Sequence, residues 1–489
     1  MTTAAADAFS PIRVGTMSLG HRLVVPPHSG GGGALLGTEE QFDRMCRYWL
    51  ARVQGGMQWV GGGPMFVRNP LIPGFEPTGI GSNADGFFRH PLFVERMGRY
   101  MDRLHEAGGF GTVQMVLQGG MPIAPSQTLS GYLDHAIPHR LDLDEIAWLV
   151  REYGESAALA AEAGADAIEL HSNHDDVLQW FLSPRTNRRD DGYGGGTEGR
   201  RRLLREVCEA IRGRVGRPIT LGLRLCLDEM IDGGYGIEEC AAFVSAFTKD
   251  GTVDYFSFDV GNNWGTPSYV PIGLHPEGEW AGLAGRARAA THLPAVYVGR
   301  VVHPEVAEAI LAAGQADLVG LARALIADPS YVEKMRTGRA ALGDRIVVVS
   351  EDDRPAPLAV ADQLAGAGHQ VTLVYQSPAP SPQVGKYSIG SMLARLDSHG
   401  VRLVPMARAV GFTPGVVELS HSYSNRCWTL DGIDTVVLAC GSVSDDTLYH
   451  ELRQRHPAVH VLGDAYAPRR LSFATRQAYE LVRSVLTGR

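Results

Sequence analysis

The sequence predicts an α/β protein: a TIM (β/α)8 barrel followed by a smaller Rossmann-like α/β domain. Three observations predict it. Short apolar runs alternate eight times with amphipathic segments; the connections are long on one side of those runs and short on the other; and past a break near 340–344 a second strand–helix–strand pattern begins.

Taken in order, the apolar runs lie at 22–26, 57–61, 110–116, 166–171, 219–225, 254–259, 295–299 and 317–321, each short enough for a strand. Between them apolar residues recur at helical spacing over 39–54, 92–107, 144–163, 198–215, 237–249 and 304–313. Connections at 62–91, 118–141, 172–197 and 261–279 are long, while Gly164-Ala165 and 314–316 on the opposite face are tight. Long loops on one face only mark a barrel whose function sits on that face. A last barrel helix near 329–339 leads to RIVVVS, a helix over 356–366 and VTLVY, with further strands expected at 435–439 and 459–462. The domains are therefore expected at 1–343, a barrel with the active site, and 344–489, a smaller α/β unit. SPAPSP at 377–382 reads as a short rigid loop, and no internal repeat is found.

Composition restricts the partners. Of 489 residues, 44% are hydrophobic and 20% charged, with a formal net charge of −9, a composition that supports a large core. No basic stripe is present, which argues against nucleic acid or an anionic membrane and for small molecules. Six cysteines, Cys46, Cys208, Cys226, Cys240, Cys427 and Cys440, show no C-x-x-C pair; this fits a reducing compartment, and the expected location is cytoplasmic. No signal-peptide pattern and no membrane-spanning apolar run are found, no metal site is expected, and the oligomeric state is open, a homo-oligomer being allowed.

Chemistry concentrates in the run from 166 to 202, DAIELHSNHDDVLQWFLSPRTNRRDDGYGGGTEGRRR. A strand ending in His171 delivers that side chain and His174 to the barrel mouth, beside Asp175 and Asp176. H-x-x-H followed by FLSP-x-TN-R-R-D-x-YGG-x-x-E-x-R resembles the signature of flavin-dependent Old Yellow Enzyme relatives. With a second domain after the barrel, the chain is most similar to the long branch, 2,4-dienoyl-CoA reductase and trimethylamine dehydrogenase. The resemblance implies bound FMN, and substrate held by His171 and His174 through its carbonyl or other electron-withdrawing group while hydride passes to or from flavin N5. Imidazoles suit that task as hydrogen-bond donors that titrate near neutrality.

The other strand ends carry polar residues too: Pro27-His28-Ser29, Gln114, Arg224, Asp259, Gly299-Arg300 and Ala322-Arg323. A barrel interior needs apolar filling, so polar groups recurring at the rim require an occupant. For FMN, Arg224 is placed to stabilise charge at N1/O2, Gln114 to bond the pyrimidine edge and Ser29 to approach O4 or N5. Arg300 and Arg323 are placed to grip phosphate where Gly299 and Gly320 let the backbone approach.

Departures from the family pattern bear on the reaction. Where ene-reductases commonly have a proton-donating tyrosine, two residues past the second His, stands Asp176. An exposed carboxylate is ionised at neutral pH and cannot donate unless burial or Asp175 raises its pKa, so Asp176 reads as a general base, a cation ligand or a solvated loop acid. PHSGGGG at 27–33 is more similar to the amine-dehydrogenase P-H-C loop than to P-M-T, with Ser29 where those enzymes attach flavin through cysteine, so the FMN is expected to be non-covalent. Asp259, Trp264 and Tyr269 could line a pocket for a cationic amine.

Two-domain relatives hold a 4Fe–4S cluster on four cysteines after the barrel; here no cysteine lies between Cys240 and Cys427, so no cluster is expected. The turn after RIVVVS reads Glu351-Asp352-Asp353-Arg354-Pro355-Ala356-Pro357, where acids repel a pyrophosphate and prolines remove amide donors. VLGDAYAPRR at 461–470 still resembles the FAD-contacting GD-x-x-x-PR segment, yet neither FAD nor NAD is expected in this degenerate domain. The reading is an FMN-dependent oxidoreductase acting on a small molecule, with NAD(P)H, oxygen or a protein carrier as electron partner. It leans to oxidation of an amine or similar C–H bond in specialised metabolism. Reduction of an α,β-unsaturated carbonyl and a catalytically silent scaffold or partner subunit are the alternatives.

Overall fold

The structure is a computed structural model that describes the chain except residues 1–6, 29–33, 68–86, 118–122, 129–136, 216–217, 263–274, 338–342, 352–353, 383, 425, 442–443, 457, 468–470 and 488–489. Contacts divide it into two units, Met1–Arg339 and Ala340–Arg489.

In the first unit eight parallel strands form the barrel: β1 (Leu23–Val24), β2 (Trp59–Val60), β3 (Phe110–Val116), β4 (Ala167–Ser172), β5 (Thr220–Cys226), β6 (Tyr255–Asp259), β7 (Ala295–Tyr297) and β8 (Leu318–Gly320). Their order is β1-β8-β7-β6-β5-β4-β3-β2. A parallel bridge between Val25 and Val60 closes the ring, with Val25 N–H donating to Trp59 O at 3.0 Å. Around it run α1 (Glu39–Gln54), α2 (Phe93–Glu106), α3 (Leu143–Glu162), α4 (Val177–Leu182), α5 (Thr197–Arg214), α6 (Ile237–Asp250), α7 (Ala281–Arg288), α8 (Pro304–Ala312), α9 (Arg323–Ala327) and α10 (Tyr331–Arg336).

The helices begin where their caps dictate. Thr38 caps α1 and Asp142 caps α3, each in a capping box with the residue three places on, Gln41 and Glu145. The apolar stripes of the helices bury against the outside of the strands in one continuous core. Inside the ring a smaller cluster of Val24, Trp59, Ala167, Tyr255, Val296 and Leu318 packs on Val14, Met17 and Leu19. Those last residues belong to an antiparallel hairpin of strands Ile12–Val14 and Met17–Leu19, which the periodicity does not show.

In the second unit β9 (Arg345–Ser350), β10 (Gln370–Tyr375), β11 (Arg402–Val404) and β15 (Thr435–Ala439) form a parallel sheet ordered β11-β10-β9-β15, with helices α11 (Ala356–Gly366) and α12 (Lys386–Ser398). Strands β12 (Ala407–Thr413), β13 (Gly415–His421) and β14 (Cys427–Ile433) make a separate antiparallel sheet. Apolar residues of β9, β10 and α11 form one core, and Val347, Val349 and Val374 pack with the antiparallel sheet in another. The strand expected at 459–462 is not one: those residues are irregular, and among the described residues no strand pairs on the free edge of β15.

Candidate active site

At the C-terminal ends of the barrel strands lies a cavity of about 510 Å³, a size that suits a small-molecule ligand. Its lining brings together Pro27, His28, Gln114, His171, His174, Asp176, Arg224, Asp259, Gly299, Arg300, Ala322 and Arg323. Ser29, Trp264 and Tyr269 lie outside the described residues. Apolar walls come from Phe66, Val116, Val260, Val301, Val302 and Ile326.

The strand register sets the layers. Arg224 on β5 stands beside His171 on β4, and Cys226 beside Asp259 on β6. One layer lower, Gln114, Glu169, Gly222 and Tyr255 are in register across β3, β4, β5 and β6. Since alternate residues share a face, Glu169 lies under His171, and Gly222 under Arg224.

Asp259 is the hub of the upper layer. Its Oδ2 accepts from Arg224 Nη2 at 2.6 Å and from His174 Nε2 at 2.8 Å, while its buried Oδ1 has no protein partner. Burial works to raise its pKa, but His174 and Arg224 outweigh that and hold the carboxyl below its usual range. Asp259 lines the cavity as expected, and Arg224 already balances its charge there. Burial drives His171 well below the usual imidazole range, with His174 and Arg224 adding to the effect, so His171 is neutral and its Nδ1 is buried without a protein partner. The two imidazole rings meet edge to face with centroids 4.8 Å apart. They do not present matched donors to one point, because His174 commits Nε2 to Asp259.

His174 and Asp175 both adopt left-handed backbone, φ 53° and 62°, a local strain that turns the chain sharply from β4 into α4. Asp176 is only 1% exposed, not a solvated loop acid. Its Oδ1 accepts from Leu178 N–H at 3.0 Å and its Oδ2 from Leu117 N–H at 2.7 Å. It is the N-cap of α4 and clasps that helix to the end of β3. Burial pushes its pKa well up, opposed by those two N–H bonds.

His28 contributes a ring face. Its Nδ1 lies 2.8 Å from Pro26 O, which can only accept, so Nδ1 carries the hydrogen and Nε2, 2.7 Å away, accepts from the Tyr48 hydroxyl. Gln114, expected to bond the pyrimidine edge of a flavin, lines the cavity and donates Nε2–H to Glu169 Oε1 at 2.8 Å. Glu169 was not singled out from the sequence, although an acid inside the apolar run AIEL was a legible signal. At the opposite end of the cavity Gly299 and Gly320 stand beside Arg300, Ala322 and Arg323. A side chain at Gly299 would place its Cβ 2.3 Å from the Tyr297 hydroxyl oxygen, so only glycine fits.

These residues fit a flavin mononucleotide: two guanidiniums and glycine backbone in the lining for a phosphate, and a buried guanidinium and amide for a polar ring edge. Among the described residues no group of three or more His, Cys, Asp or Glu could hold a metal ion, and no helix is long and apolar enough to cross a membrane.

Residues 7–341 match the family described as NADH:flavin oxidoreductase / NADH oxidase. Similar proteins include an NADH oxidase of Thermoanaerobacter brockii, 30% identical over 68% of this chain and 51% of its own length. An N,N-dimethylglycine/sarcosine dehydrogenase of Chromohalobacter salexigens is 26% identical over 67% of the chain and 48% of its own length. A cinnamate reductase of Clostridium sporogenes is 26% identical over 67% and 52%. The chain thus spans about half the length of these relatives. In fold it is similar to 2-naphthoyl-CoA reductase, with TM-score 0.61 and 17% identity over 97% of this chain and 99% of that one. Histamine dehydrogenase from Rhizobium sp. 4-9 gives TM-score 0.59 and 20% identity over 98% and 96%.

Proposed function

The chain belongs to the NADH:flavin oxidoreductase / NADH oxidase family, and from that premise we propose that it is an FMN-dependent oxidoreductase that moves a hydride between flavin and a small organic substrate at His171 and His174, in the direction of oxidising an amine or a similar C–H bond. Arg300 and Arg323, with Gly299, Gly320 and Ala322, would hold the phosphate; Gln114 and Arg224 would meet the polar ring edge; Pro27 and His28 would form a wall. FMN when bound supplies the two-electron acceptor and donor.

The observation that carries the direction is the Asp259 carboxylate in the cavity wall, held ionised by Arg224 and His174. A carboxylate oxygen can only accept, so it calls for an N–H or O–H donor, which an amine provides. The lowered pKa of His171 suits a substrate amine that enters already neutral, beside an uncharged imidazole. Asp259 orients His174 and keeps Arg224 from being an uncompensated buried cation.

The second reading, reduction of an α,β-unsaturated carbonyl, uses neutral His171 in the cavity lining as a donor to the carbonyl. Asp176 lines the cavity and its raised pKa meets the condition for a proton donor, but both its oxygens are held by backbone N–H, which weighs against that role. Relatives of both kinds support keeping the two in one experiment. Protein loaded with FMN under anaerobic conditions is mixed with secondary and tertiary amines; bleaching of the flavin band supports amine oxidation. Reoxidation of NADH-reduced flavin by an enone, with no amine bleaching it, overturns the direction. Protein that stays colourless after FMN is added overturns the flavin reading and favours a silent scaffold or partner subunit.

For the second unit we infer a domain that keeps its packing and holds neither FAD nor NAD. Glu351, directly after β9, accepts from Gln376 Nε2 at 3.1 Å across the crevice where a dinucleotide would enter, and Pro355 caps α11 with no side-chain bond. Four thiolates for an iron–sulfur centre have no source between Cys240 and Cys427.

A further inference from the structure

Beneath the cavity floor, Glu169 is 3% exposed and sits in a ring of residues that share its register. Its Oε1 accepts from Gln114 Nε2 at 2.8 Å and its Oε2 from the Tyr255 hydroxyl at 3.0 Å. Tyr255 reaches it by lying across Gly222, where a Cβ would come 2.0 Å from the ring Cζ. Glycine at 222 is thus what lets the phenol span from β6 to β4.

The arrangement fixes one end of an amide. Both Glu169 oxygens accept, from Gln114 Nε2 and the Tyr255 hydroxyl; burial raises the pKa of the carboxyl while Arg224 and these two donors favour its charged form, which repels the amide oxygen and takes the NH2 end of Gln114. Gln114 lines the cavity, and with its NH2 end committed below, its Oε1 is the end left for a ligand. An acceptor held there selects for an N–H donor on the ligand. On the edge of an oxidised isoalloxazine that donor is the imide N3–H, flanked by two carbonyls that an outward NH2 group would have preferred.

Resting on the FMN reading but going beyond it, we propose that Glu169 is a positioning residue that locks the Gln114 amide as a hydrogen-bond acceptor toward the cavity and so selects flavin through its imide N–H. It touches neither cofactor nor substrate. Its effect passes through Gln114, and Tyr255 holds it in place.

The test compares binding of FMN and of N3-methyl-FMN, followed by quenching of flavin fluorescence, in full-length wild type and two variants. Wild type is expected to bind FMN about tenfold more tightly than the methylated form, the effect of one buried hydrogen bond and its donor. Glu169→Leu, close in size, frees the amide to turn; FMN binding weakens by about tenfold while N3-methyl-FMN binding changes little, so discrimination disappears. Glu169→Gln keeps the shape and the number of hydrogen bonds. Its carboxamide meets Gln114 with either end, so about half the amide turns and discrimination falls by at least about twofold. This second variant keeps the idea open to refutation should the leucine variant not fold. Equal losses for both flavins in Glu169→Leu, or unchanged discrimination in Glu169→Gln, overturn the inference while leaving the FMN reading intact. Wild type that binds neither flavin overturns both.

Discussion

Asp259→Asn takes the negative charge from between Arg224 and His174, which share its Oδ2. A buried guanidinium left without its counter-ion costs about 3 kcal/mol, and His174 loses the acceptor that sets its tautomer. The expected outcome is an apo-protein less stable by about that amount in denaturant titration, and amine turnover lowered by roughly 100-fold. Asp176→Asn is expected to behave differently, because its oxygens hold Leu117 and Leu178 N–H and no reacting atom. An asparagine keeps one acceptor and turns its NH2 toward the other donor. Stability is expected to fall by about 1–2 kcal/mol, with turnover reduced far less than the roughly 100-fold that follows loss of an acid–base group. A collapse of turnover at unchanged stability would return Asp176 to the chemistry. Both side chains could be placed near the mouth from sequence, since strand ends converge there. Their partners could not, because a carboxylate's choice between cation, cap and substrate depends on rotamers and on neighbours far away in the chain.

At the scale of elements, α4 shows what periodicity misses. The loop over 172–197 contains a helix of 6 residues, all buried, too short for a helical repeat to register. Glu229, from the connection after β5, fastens it: Oε1 accepts from Gln179 Nε2 at 3.1 Å, and Oε2 from Ser183 Oγ at 2.7 Å and Tyr235 N–H at 2.8 Å. Burial raises its carboxyl to about 7 from 4.5, more than those donors and Asp175 alter it. A folded pKa above the unfolded one means that the folded state binds the proton more tightly. This stabilisation is complete below pH 4.5, and it is lost as pH rises through about 7. Relative to Glu229→Gln, the wild type is expected to lose up to about 3 kcal/mol across that window, read from urea midpoints at successive pH values. A parallel pH dependence in the two proteins would remove Glu229 as the cause. Helix α7, AGLAGRAR, escaped for a related reason: glycine, alanine and arginine carry little apolar contrast. The irregular 459–462 segment is the converse, an apolar run with no neighbour to pair with.

For the whole molecule, each unit carries its own apolar cores, residues 8–332 in the first and 346–430 in the second. Calorimetry is expected to show two transitions, with FMN at 100 times its dissociation constant stabilising only the one that belongs to the barrel, by about 2.7 kcal/mol. FMN shifting both transitions together would show the units to unfold as one. By itself the sequence determined the barrel, its eight strands in order, the second α/β unit and, among the described residues, the strand-end side chains that line the mouth, because alternation of apolar strands and amphipathic helices fixes topology and topology sends strand ends to one face. Only the tertiary structure decided which polar groups are already paired. Asp259 binds Arg224 and His174, Asp176 caps a helix, and Glu169 holds Gln114, since hydrogen bonds across strands depend on register and on the absence of a side chain at Gly222, neither of which is written in local residue patterns.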